Sequence, residues 1–83
     1  MKKTIASNEY KALVDWLIKA RQSKGYTMRD LAVKLDRPHS YVGKIEQLER
    51  RLDVIEFVEY CNALKLDPVD GIALVKQFKP RKI

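Results

Sequence analysis

Residues 27–47 impose the tightest constraint on what this chain can fold into. Thr27-Met28-Arg29-Asp30 reads as a helix start, with the Thr hydroxyl accepting from the amide three residues on and Asp30 reaching back. Leu31, Ala32 and Leu35 then give a short apolar face at helical spacing. Asp36-Arg37-Pro38 interrupts it, because the residue before a proline is biased away from the helical region. Pro38 in turn suits the first position of a next helix, where a missing N–H costs nothing. In that helix Val42, Ile45 and Tyr41 face inward. The result is two short helices and a tight turn, locked at a fixed angle by a few apolar side chains. Ala32 is small where the two helices cross, and a larger residue there would separate them.

The flanking segments are also helical. Tyr10, Leu13, Val14, Leu17 and Ile18 mark one face of a helix over 7–23, with Ser7 or Asn8 as cap and Gly25 past its end. Residues 48–52 read as a connection. Asp53 and Glu56 form a second capping box, and Val54, Phe57, Val58, Cys61 and Leu64 are the expected inner face of a fourth helix. Asp67-Pro68-Val69-Asp70 starts a fifth, whose expected inner face is Val69, Ile72, Val75 and Phe78. The cluster Ile72, Leu74, Val75, Phe78 suits either a completed core or a twofold interface, and Trp16 suits either half-buried packing or a dimer surface. No period-2 strand, internal repeat or long linker is present. The expectation is an all-α, five-helix domain over 1–83, with its core at 7–78 and a frayed basic tail at 79–83.

Size and charge narrow the function. A chain of 83 residues has a thin core, which argues against a deep substrate cavity. Seventeen Lys and Arg against eleven Asp and Glu leave a formal charge of +6, which suits a polyanionic partner or a merely basic surface. The single cysteine, Cys61, forms no internal disulfide and falls in an apolar stripe, as expected of a reducing cytosol. Met1–Ala6 lacks the apolar stretch of a signal peptide, and no apolar run is long enough to span a bilayer. His39 is the only histidine and has no companions at metal-ligand spacing. No nucleophile–base set and no phosphate-binding glycine loop is apparent. The expectation is therefore no enzyme, no metal and no cofactor.

Arg21…Thr27-Met28-Arg29-Asp30-Leu31-Ala32-Val33-Lys34-Leu35…Ser40-Tyr41-Val42-Gly43-Lys44-Ile45-Glu46, followed by Glu49-Arg50-Arg51-Leu52-Asp53-Val54-Ile55-Glu56-Phe57, resembles the Cro and phage-repressor type helix-turn-helix, the xenobiotic-response-element (XRE) family. The likeness covers about residues 10–75. It implies a lambda-repressor-like fold and a bacterial or phage transcriptional regulator of the cytoplasm. Such a regulator binds inverted repeats in double-stranded DNA as a homodimer, with no small-molecule ligand. It implies base reading by His39, Ser40 and Lys44 from a helix over about 38–47, flanked by Tyr41 and Gly43. It implies phosphate contacts from Thr27, Met28, Arg29, Arg50 and Arg51, and an ion pair between Arg21 and Glu46. The residue chemistry is compatible: lysine donates to guanine O6 or N7, serine and histidine both donate and accept, and arginine grips phosphate bidentately. The same fold also serves as an antitoxin or other protein-interaction module, or as a restriction–modification controller. Several positions depart from the family pattern. Met28 replaces a common glutamine, Asp36 and Leu48 stand where glycine is common, and Pro38 replaces a hydroxyl cap. Gly43 sits inside the recognition helix at a cost of about 1 kcal/mol of helix stability.

Overall fold

A side-chain oxygen caps four of the five helix starts in the computed structural model, which describes residues 7–78. The helices are α1 (Asn8–Ser23), α2 (Met28–Lys34), α3 (Ser40–Glu46), α4 (Val54–Leu64) and α5 (Pro68–Lys76), with no strand among the described residues. Ser7 accepts from the Tyr10 amide at 3.2 Å, and Asp67 from the Val69 amide at 3.0 Å. Both capping boxes close, Thr27 with Asp30 and Asp53 with Glu56. Each satisfies amides that the first helical turn leaves unbonded. The basic tail expected at 79–83, and the segment 1–6, lie outside the described residues.

The exception is α3. His39 precedes it with no side-chain cap, and the Tyr41 amide bonds instead to the Pro38 carbonyl at 2.9 Å. That i→i+3 turn pushes the helix start two residues past Pro38. Four helices end through a left-handed residue: Gly25 (φ 73°), Asp36 (φ 56°), Leu48 (φ 65°) and Lys65 (φ 58°). At each, the next amide bonds back five residues: Tyr26 to Arg21, Arg37 to Ala32, Glu49 to Lys44 and Leu66 to Cys61.

The core is built from Leu17 of α1, Leu31 and Ala32 of α2, Val42 and Ile45 of α3, and Phe57, Tyr60, Cys61 and Leu64 of α4. Ala32 is 1% exposed, as a close helix crossing requires. Burial pushes the Cys61 thiol up to about 11, which keeps it protonated and inert. Tyr60 is also buried, and its hydroxyl finds no hydrogen-bond partner among the described residues.

In the last two helices the expected inner faces hold only in part: Phe57, Cys61 and Leu64 of α4 are buried as expected, and Val75 of α5 is partly covered. In α4, however, Val54 is 76% exposed and Val58 is also exposed, while Glu56 and Tyr60 turn inward with Phe57. In α5, Val69, Ile72 and Phe78 are exposed, and Phe78 lies beyond the helix end. The buried residue of α5 is Gly71. An ideal Cβ there would lie 2.8 Å from Phe57 Cζ, 2.8 Å from Trp16 Cζ3 and 3.1 Å from Leu13 Cδ1. A glycine thus lets α5 settle on α1 and α4, and Trp16 is half-buried in that packing.

Candidate nucleic-acid interface

Helix α3 has two unlike faces. Tyr41, Val42 and Ile45 are buried at 8%, 0% and 0% exposure, while His39, Ser40 and Lys44 are exposed. The exposed three make no side-chain hydrogen bond or ion pair among the described residues, so their donors and acceptors are turned to solvent. Gly43 is partly covered. A Cβ at that position would meet only Met28 Sδ, at an ordinary 3.9 Å.

Tyr41 belongs to the core and not among the outward residues that flank a base. Its ring is buried, and burial raises its hydroxyl above the usual tyrosine range. What it presents is a face to two cations: the guanidinium carbons of Arg37 and Arg50 lie 5.0 and 4.9 Å from its centroid.

At the start of α2, Thr27, Met28 and Arg29 are all exposed. The capping box already uses part of this turn. The Thr27 amide donates to Asp30 Oδ2 at 2.9 Å, and the Asp30 amide to the Thr27 hydroxyl at 3.0 Å. Those bonds hold the Asp30 carboxyl below its ordinary range. The Met28 and Arg29 amides precede the first backbone bond of the helix, Leu31 to Thr27, and still point out of its positive end.

Arg21 and Glu46 come together between α1 and α3. The guanidinium donates through Nε to Oε2 at 2.6 Å and through Nη2 to Oε1 at 3.1 Å. Nη1 donates to the Tyr26 carbonyl at 2.8 Å, so the same side chain also ties down the approach to α2. Both side chains are about nine-tenths buried, at 11% and 10% exposure.

The loop after α3 carries Arg50 and Arg51. The Arg50 carbonyl accepts from the Tyr10 hydroxyl at 3.0 Å, and Arg51 lies 5.5 Å over the Tyr10 ring. The Arg50 guanidinium does not hang free in the solvent as a loop arginine would. It donates to both Glu56 oxygens, at 3.1 and 2.9 Å, and its central carbon lies 4.9 Å over the Tyr41 ring. This pairing holds the Glu56 carboxyl below its usual range, helped by the Asp53 amide, and raises the Arg50 pKa.

Sequence reasoning missed two residues here. The sequence marks Arg37 only as part of a helix break, yet it lies over the Tyr41 ring and reaches Glu59 at 3.4 Å and Glu56 at 3.9 Å. Glu56 was read only as half of a capping box, yet it also gathers two arginines. No local spacing connects position 37 to position 56, so the fold alone reveals the contact. Among the described residues no group of acidic, histidine or cysteine side chains is placed to hold a metal, and no helix is long and apolar enough to cross a membrane.

Comparison with known proteins gives a consistent result. The helix-turn-helix family profile matches residues 17–70. An XRE-family like protein from Pseudomonas syringae pv. tomato str. DC3000 is 42% identical, with a TM-score of 0.80 over 88% of this chain and 89% of that one. The restriction-modification controller protein C.AhdI from Aeromonas hydrophila is 23% identical, with a TM-score of 0.71 over 78% and 98% of the two chains. The controller C.Esp1396I, solved as a tetramer in complex with its natural 35 base-pair operator, is 24% identical, with a TM-score of 0.74 over 87% and 95%. The latter two likenesses speak for the fold alone. No curated protein matches the chain.

Proposed function

This chain belongs to the XRE family of helix-turn-helix proteins, a family of DNA-binding transcription regulators, and from that premise we propose that it binds an inverted-repeat operator as a homodimer with α3 in the major groove. The observation that carries the reading is the division of α3. Its buried face is packed into the core, and His39, Ser40 and Lys44 stand on the opposite side with unused hydrogen-bonding groups. A rod held this firmly can offer polar side chains to base edges in a fixed register. Arg29, Arg50, Arg51 and the first amides of α2 are the proposed phosphate contacts, which position the helix without reading sequence. Tyr41, whose ring is buried, is assigned no base contact in this reading.

The proposed dimer surface lies on the adjoining helices α4 and α5. Val54, Ile55 and Val58 on one, and Val69 and Ile72 on the other, are large aliphatic side chains turned to solvent. Such exposure on a small domain favours burial against a second copy. Half-site centres then fall about 34–36 Å apart, or a multiple of that. The controller C.Esp1396I on its operator is a precedent for this fold assembled on DNA. The protein acts as one domain and without a chemical step.

The test is selection from a randomised duplex library, followed by titration across salt concentrations. A palindromic consensus and a steep loss of affinity with salt are expected. Lys44→Ala should lose about 1–3 kcal/mol of discrimination at one position per half-site. Ile72→Asp should give a monomer in sedimentation without unfolding the chain. Salt-independent binding, or no sequence enrichment, would refute the reading.

A further inference from the structure

Glu56 does more than its place in a capping box demands. Its side chain is 11% exposed, and it accepts from Arg50 Nη1, Arg50 Nη2 and the Asp53 amide, with Arg37 Nη1 at 3.9 Å. Arg50 is therefore fixed at both ends. Its carbonyl is held by Tyr10, and its guanidinium by Glu56 on one edge and the Tyr41 ring on one face.

The edge left over is the informative one. An arginine has five N–H groups. Nη1 spends its two on Glu56 and, at 3.4 Å, the Arg51 carbonyl, and Nη2 spends one on Glu56. The Nε hydrogen and the second Nη2 hydrogen remain, and they lie parallel along one side of the group. Arg21 uses that same edge to grip the two oxygens of Glu46. It is the edge that matches two oxygens of a phosphate, and the Arg50 side chain is 40% exposed.

We propose that Glu56 is a positioning residue for DNA binding: it clamps Arg50 against Tyr41 so that the Nε/Nη2 edge stands ready as a phosphate fork. The inference rests on the DNA-binding reading above. A solvated arginine must surrender its rotamer freedom when it grips a phosphate, whereas Arg50 has surrendered it on folding. Arg37 lies over the same ring, at 5.0 Å from its centroid, and adds a second positive charge beside Glu56 while also reaching Glu59 at 3.4 Å.

The proposal and simple electrostatics predict opposite signs. A carboxylate near a polyanion repels it, so by charge alone Glu56→Gln should tighten binding. By positioning, it should weaken it. Glutamine keeps an acceptor for the Asp53 amide, so the capping box survives. The experiment measures operator affinity of the full chain at a temperature where circular dichroism shows each variant folded. Glu56→Gln and Arg50→Lys are each expected to lose about tenfold, equivalent to about 1.4 kcal/mol, and the double variant no more than Arg50→Lys alone. Affinity for Glu56→Gln equal to or above wild type overturns the proposal, and so does strict additivity in the double variant. If the wild-type chain itself binds no duplex, the DNA-binding reading fails and this one with it. Failure of Glu56→Gln alone to weaken binding leaves that reading intact.

Discussion

Arg21 and Glu46 meet edge to edge across α1 and α3, with two hydrogen bonds of 2.6 and 3.1 Å in a site about nine-tenths closed to solvent. Removing one partner leaves the other as a desolvated charge. Glu46→Ala should therefore cost about 3 kcal/mol, read as a lower urea midpoint. Replacing both at once, as Arg21→Met with Glu46→Leu, should cost far less than the sum of the single changes. On the proposed reading the pair sets the angle of α3 more than it adds stability. A double replacement that melts near wild type but binds DNA poorly is the expected signature.

Gly71 inverts a general rule. Alanine in place of a helical glycine normally gains about 1 kcal/mol. Here the new methyl would collide with Phe57, Trp16 and Leu13. Overpacking of this kind costs about 1–3 kcal/mol, so Gly71→Ala should lower the melting temperature. A rise would mean that α5 can lift from α1 without loss.

Lys65 offers the reverse case. It is exposed and left-handed at the end of α4, at φ 58°. Lys65→Gly removes the steric cost of that conformation and should stabilise the protein by about 1 kcal/mol in chemical denaturation.

The acid limb of stability should report Glu56. Its carboxyl titrates below the ordinary 4.5 because Arg50 and the Asp53 amide favour the charged form. A depressed folded-state value means that the contribution is complete above the unfolded value and is lost as pH falls through the folded one. Wild-type stability should decline below about pH 4.5, and Glu56→Gln should flatten that decline while lowering the plateau at neutral pH. An unchanged acid slope in the variant would contradict the pairing.

Much of this fold could be read directly because its start signals are chemical. Ser7, Thr27, Asp53 and Asp67 are caps in sequence and in space, since a cap depends on residues only two or three positions away. Asp36 and Gly25 announce left-handed ends, as their residue types favour that region. Leu48 and Lys65 do not, because there the surrounding helices impose the conformation against local preference. The sequence pattern mistakes most of the inner face of α5 for a related reason. Periodicity locates large apolar residues, and the inward contact of α5 is made by a glycine with no side chain to count. Exposed Val69 and Ile72 look like core to any pattern, so an exposed aliphatic surface is indistinguishable from an interior at that level.

The candidate site divided along the same line. His39, Ser40 and Lys44 came from the family resemblance, and the structure places all three on the exposed face of α3. The group formed by Arg37, Tyr41, Arg50 and Glu56 was not legible, because it joins a turn, a helix, a loop and a helix start that meet only after folding.

The divided surface of α3 has a further consequence. Among the described residues, His39, Ser40 and Lys44 take part in no side-chain bond that holds the protein together, and the space beside Gly43 accepts a methyl group. On the proposed reading, descendants of this chain are thus free to change which operators they answer to, one exposed position at a time, while inheriting an intact architecture.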